Sequence, residues 1–118
     1  MADIESKNPT KAETDSLFNF YDSGNYPQTE KFCRQLLVRY PESGFVHNML
    51  GVVINQQDRE TEAVGAYEQA IQVDSGYADP YNNLGLINKK QGNQQEALKR
   101  FKQAVEADSE YGEARNNL

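Results

Sequence analysis

The sequence predicts an all-α solenoid of stacked antiparallel helix hairpins, about three hairpins long with the start of a fourth. Three observations carry that expectation. First, the chain repeats itself at a fixed offset of 34 residues: Leu50, Leu84 and Leu118 fall in register, as do Gly51 with Gly85, Ala63 with Ala97, Ala70 with Ala104, and Tyr77 with Tyr111. Periods of this size mark supersecondary units that bury their apolar sides by stacking on one another. Second, apolar and small residues recur within each unit at three- and four-residue spacing, as in Gln69 to Val73 and Gln103 to Ala107, which builds one buried helical stripe. Third, turn residues stand at equivalent places, Gly24-Asn25, Asp58-Arg59 and Gly92-Asn93, and no segment reads as a strand.

Taken in order, residues 1–9 are polar with mixed charge and are expected to form a flexible or loosely docked N-terminal tail. The solenoid domain then spans 10–118, in units 10–43, 44–77 and 78–111 with a partial fourth at 112–118. First helices are expected near 10–23, 44–57 and 78–91, and second helices near 27–40, 60–73 and 94–107. Asn93 suits a helix cap, with Glu96 three residues on, and Asp79-Pro80 reads as a cap followed by proline in the first turn. Gly51 and Gly85 are expected to face the alanines of the second helices. Tyr67, Tyr81 and Phe101 are expected to fill the gaps between neighbouring hairpins.

Composition narrows the function. Hydrophobic residues make up 37% and charged residues 25%, which suits a solenoid with a large surface per residue and is too apolar for a wholly disordered chain. The net charge of −6 argues against nucleic acid or anionic membrane as the main partner, because phosphate binding needs basic surface. No apolar run reaches the ~18 residues of a membrane span, and the start of the chain has no apolar signal region. One Cys and one His exclude an internal disulfide and the familiar Cys/His zinc sites, and make a reducing, cytoplasmic setting the default.

The run Tyr81-Asn82-Asn83-Leu84-Gly85, then Gly92-Asn93, Ala97, Phe101, Ala104 and Ala107-Asp108, resembles the tetratricopeptide repeat. Residues 44–77 match nearly as well through Leu50-Gly51, Ala63, Tyr67 and Ala70, with His47 in the place of an aromatic and Asp58 in the place of glycine. Residues 10–43 are degenerate, with Ser16-Leu17, Thr29, Cys33 and Leu36 at motif positions, while Gly24-Asn25-Tyr26 and Tyr40-Pro41 keep the register. The resemblance implies a right-handed superhelix whose first helices line a concave groove. It makes the chain a protein-interaction module rather than an enzyme, with a protein or peptide partner and no cofactor.

The residues then expected to point outward into the groove are Asn48, Met49, Val52 and Asn55, then Asn82, Asn83, Leu86 and Lys89, then Asn116 and Asn117. Asparagine offers donors and an acceptor, so a ladder of them can pair with a peptide backbone without reading its sequence. Asn83 and Asn117 are similar to the asparagine ladder in the repeat arm of the O-linked N-acetylglucosamine transferases; Met49 departs from it. The carboxylate clamp of chaperone-binding relatives is not expected, since Thr14, Phe18, Met49, Asp79 and Asn83 put no cation at its places. His47 and Cys33 read as packing residues, and Lys89-Lys90 with Lys99-Arg100-Phe101-Lys102 as a solvated basic face.

No nucleophile with a His partner, glycine-rich phosphate loop or metal cluster emerges. Because 112–118 parallel Ala78 to Leu84, the chain is expected to be a fragment of a longer protein with an open C-terminal end. The stripe Leu98, Phe101 and Val105 is then partly uncovered, and self-association through it is the natural consequence. The rival functional readings are an N-terminal substrate-recruiting arm of a larger enzyme, such as a glycosyltransferase or sulfotransferase, and a self-assembling scaffold.

Overall fold

The computed structural model describes residues 6–118. They form the helices α1 (Lys11–Asp22), α2 (Tyr26–Arg39), α3 (Gly44–Gln56), α4 (Glu60–Val73), α5 (Asp79–Lys90), α6 (Gln94–Ala107) and α7 (Gly112–Asn117), with no strand among the described residues. The second helices α2, α4 and α6 are each 14 residues long and start at 26, 60 and 94, so the sequence period is the spacing of the hairpins themselves. Contacts run along the stack: α3 packs on α4 and α5 on α6 within hairpins, while α2–α3 and α4–α5 join successive hairpins and α3 touches α5. The result is elongated, 44 × 30 × 21 Å, with a radius of gyration of 14.3 Å against about 13.5 Å for a compact chain of this length. It is an all-α solenoid of helical hairpins.

Local chemistry sets the helix starts. Thr10 and Glu13 close a capping box, the Glu13 N–H donating to Thr10 Oγ1 at 3.2 Å and the Thr10 N–H to Glu13 Oε1 at 2.9 Å. Asn25, Ser43 and Asn93 cap α2, α3 and α6 by accepting from the third backbone N–H of each helix. At α5 the expected cap moves by one residue: Ala78 is the N-cap, Asp79 and Pro80 are already helical, and Asp79 accepts from the Tyr77 hydroxyl at 2.9 Å instead. The inter-helix turns at 24, 58 and 92 all need the left-handed backbone, with φ of 79°, 63° and 82°. Glycine supplies it twice without strain and Asp58 supplies it once.

Packing corrects two sequence expectations. Gly51 and Gly85 face aromatic rings of their own hairpin rather than the alanines. A Cβ on Gly51 would lie 2.6 Å from Tyr67 Cε1, and one on Gly85 would lie 2.4 Å from Phe101 Cε1. Phe101, 2% exposed, therefore fills the interior of its own hairpin, while Tyr67, also 2% exposed, covers Gly51 and shares the core with Leu84 and Ile87 of the next unit. The bare glycine backbone is the only helical surface flat enough to take a ring at that distance. Tyr81 does pack across units, in a cluster with Ala78, Ala104 and Ala114. At the C-terminal end Leu98 is 41% exposed and Val105 half-buried, but Phe101 is buried by its seat on Gly85.

Between the first two hairpins, Glu30 of α2 accepts from Arg59 Nη1 and Nη2 (2.8 and 2.9 Å), Arg34 Nη2 (2.9 Å) and Gln57 Nε2 (2.9 Å). The Arg59 hydrogen bonds, joined by those from Arg34 and Gln57, hold the Glu30 carboxyl down at about 2. Of the expected tail, residues 1–5 lie outside the described residues. Residues 8 and 9 sit against the solenoid, where the buried Ser43 hydroxyl donates to Asn8 Oδ1 at 2.7 Å and Pro9 is half-buried.

Candidate functional site on the first-helix face

The ten residues expected to point outward divide into three groups. Leu86, Lys89 and Asn116 are exposed, and Val52, Asn55, Asn83 and Asn117 are half-buried. Asn48, Met49 and Asn82 are buried, which corrects their expected outward placement. The reason is the neighbouring first helix. Asn83 Nδ2 donates to Asn48 Oδ1 at 3.0 Å, and Asn117 Nδ2 donates to Asn82 Oδ1 at 3.0 Å, both across 35 residues. Each buried asparagine thus spends its carbonyl on the next unit. The repeated asparagines form a hydrogen-bonded seam between α3, α5 and α7, which satisfies the buried side-chain carbonyls of Asn48 and Asn82, leaves Asn82 Nδ2 without a partner among the described residues, and ties successive units in register.

An apolar stripe remains open on this face among the polar residues. Phe18, Val52 and Leu86 occupy the same register position on α1, α3 and α5; Phe18 is 40% exposed, Leu86 41% and Val52 half-buried. The signal is present in the sequence, since positions 18, 52 and 86 fall at 34-residue intervals and each holds an apolar residue. Around Phe18 lies a pocket of about 400 Å³, lined by Thr14, Phe18, Phe45, Asp74 and Tyr77 together with residues 8 and 9. The Phe18 and Phe45 ring centroids are 5.9 Å apart. Sequence reasoning missed Phe45 and Asp74 as site residues because nothing local shows that the α4–α5 turn folds back over α1 and α3.

At the Phe18 end the face is acidic. Among the described residues no lysine or arginine lines the Phe18 pocket, and Asp79 stands where a clamp cation would. Burial raises both the Tyr77 and the Tyr111 phenol, and the Asp79 carboxylate beside them pushes in the same direction, so both hydroxyls remain donors. A second cavity of about 160 Å³ lies farther along, bounded by Asn55, Asn83, Leu86 and Lys90 among others.

Elsewhere the residues weighed from the sequence take packing or surface roles. Cys33 is fully buried and burial pushes its thiol up to about 12. His47 is half-buried, and its Nε2 donates to the Pro41 carbonyl at 2.8 Å. In the basic stretch, Lys90 pairs with Glu60 at 3.4 Å and Arg100 with Glu96 at 3.5 Å, while Lys89, Lys99 and Lys102 are exposed. Among the described residues no group of three His, Cys, Asp or Glu side chains could hold a metal ion, and no helix is long and apolar enough to cross a membrane.

Comparison with known proteins agrees with this architecture. The family model described as tetratricopeptide repeat matches residues 42–110. A search of the curated proteins finds no match. Among solved structures, the Sgt2 TPR domain from Aspergillus fumigatus superposes with a TM-score of 0.83 at 17% identity, covering 96% of this chain and 78% of that one. The first TPR of Spaghetti (RPAP3), bound to the HSP90 peptide SRMEEVD, gives 0.80 at 15% identity, covering 91% and 85%. MamA gives 0.74 at 21% identity over 83% of this chain, and the chain spans 57% of MamA. At these identities the likeness is one of fold. With its 34-residue period seen in the helices themselves and the family model matching more than half its length, the chain belongs to the tetratricopeptide repeat family.

Proposed function

We propose that this chain is a protein-interaction module whose first helices dock a peptide or a partner domain. The observation that carries the reading is the in-register stripe of Phe18, Val52 and Leu86. Three successive first helices carry an apolar residue at the same position, exposed at Phe18 and Leu86 and half-buried at Val52, and the exposed part gives a chain with no partner no benefit. The half-buried Asn55 and Asn83 and the exposed Lys89 flank the stripe with hydrogen-bonding groups, and Asn116 and Asn117 extend it onto α7. The Spaghetti (RPAP3) domain, solved with a peptide bound, supports the use of this architecture for that purpose.

A peptide library selected against the full chain tests this. Selected peptides are expected to shift the backbone resonances of α1, α3 and α5, and Leu86→Ala or Val52→Ala is expected to weaken them roughly fivefold, the equivalent of about 1 kcal/mol. Peptides that bind both variants as well as the parent, without moving those resonances, would remove the reading.

A second reading, self-association through the C-terminal end, is favoured by one observation. A groove of about 510 Å³ opens there beside Lys89, Leu98, Phe101 and Leu118, with Leu98 41% and Leu118 53% exposed. A concentration-dependent mass in light scattering, abolished by Leu98→Asp, is the expected result; an invariant monomer mass would rule it out.

A further inference from the structure

Phe18, Phe45 and Tyr77 bring three aromatic rings to one pocket of about 400 Å³, and Asp74 brings a carboxylate to its wall. An apolar side chain would be served by rings alone; the exposed carboxylate of Asp74 beside them adds a charge that only a cationic occupant would use. Ring faces attract cations through their quadrupole, and an adjacent carboxylate adds Coulomb attraction. A second carboxylate stands at the same turn, since Asp79 accepts from the Tyr77 hydroxyl at 2.9 Å. A glycine sets the geometry. A Cβ on Gly44 would stand 2.9 Å from Asp74 Cβ and 3.5 Å from Tyr77 Cδ2, so only the bare backbone lets this aspartate and ring close over the start of α3.

We propose that this pocket receives the cationic side chain of a lysine or arginine from the partner. The inference rests on the docking reading above and specifies its chemistry: the bound segment carries a positive charge that anchors between α1 and α3, while the Val52–Leu86 part of the stripe takes apolar contacts. Thr14 and residues 8 and 9 complete the lining, and a volume of about 400 Å³ suits one long side chain.

The test uses the full chain and four blocked tripeptides, Gly-X-Gly with X as lysine, arginine, norleucine or glutamate, followed by amide chemical shifts. The lysine and arginine peptides are expected to move Phe18, Phe45, Asp74 and Tyr77 with affinities in roughly the millimolar range, and raised salt should weaken them. Norleucine, which keeps the stem without the charge, should move them far less, and glutamate not at all. Asp74→Asn and Phe18→Ala alter exposed side chains and should each weaken the lysine peptide about fivefold or more at unchanged helicity. Gly44→Ala, which forces Asp74 away, should do the same. Equal response to norleucine, or lysine shifts confined to other residues, overturns the proposal. Library peptides that engage Val52 and Leu86 but lack any preference for a cation at Phe18 would overturn it too, while leaving the docking reading intact.

Discussion

Phe101 lies so close over Gly85 that a β-carbon there would come within 2.4 Å of its ring, and Tyr67 stands over Gly51 in the same way one unit earlier. The consequence is a sharp split between glycines on the same scaffold. Gly85→Ala gains helix propensity but must displace a buried ring, so a net loss of about 1–2 kcal/mol is expected. Gly65→Ala in α4 meets nothing within 4 Å and should gain about 0.5–1 kcal/mol. Urea denaturation of the two variants against the parent checks both signs.

The Glu30 cluster should give stability a recognisable pH dependence. Its carboxyl sits at about 2 in the folded chain against 4.5 ordinarily. A depressed acid pKa stabilises fully above the unfolded value and is lost as pH falls toward the folded one. Glu30→Gln is therefore expected to cost about 1–2 kcal/mol at neutral pH, with the gap to the parent closing between pH 4.5 and about 2. Chemical denaturation across that range measures it. A gap independent of pH would show that packing, not charge, holds the Arg59–Glu30 contact.

Asp58 carries a left-handed backbone, φ 63°, where the equivalent turns use Gly24 and Gly92. Asp58→Gly should relieve strain of order 1 kcal/mol, partly offset by the added freedom of the unfolded chain. A rise in melting temperature of about 2–4 °C is expected. Gly92→Asp, the reverse exchange one unit on, should lower it.

Cys33 is enclosed, and its raised thiol leaves almost no thiolate at neutral pH. Alkylating reagents should modify it only as fast as the first hairpin opens, so labelling follows denaturant rather than reagent concentration. Rapid labelling of the native chain at neutral pH would contradict the packing at the α1–α2 interface.

How far the sequence reached can be judged from particular residues. Register gave the starts of α4 and α6 to the residue and that of α2 one residue late, because helical periodicity follows from residue spacing alone. The turn at Asp58 was likewise legible, since it falls at the place of two glycines. The cap at Asp79 missed by one residue, because the Tyr77 hydroxyl competes for the same carboxylate. The site was legible only in part. Asn83, Leu86 and Lys89 do reach the surface, whereas Asn48 and Asn82 turn into the seam with Asn83 and Asn117.

By itself, then, the chain's 34-residue period determined the helices, their pairing into hairpins and the tetratricopeptide architecture. Only the tertiary structure decided which asparagines face the next unit, which glycine receives which ring, and that Asp74 and Tyr77 close over Phe18 and Phe45. The physical reason is reach. Periodicity acts through bonds within one helix, while exposure depends on the rotation and tilt of the hairpin stacked upon it, which side-chain volumes from both units set together.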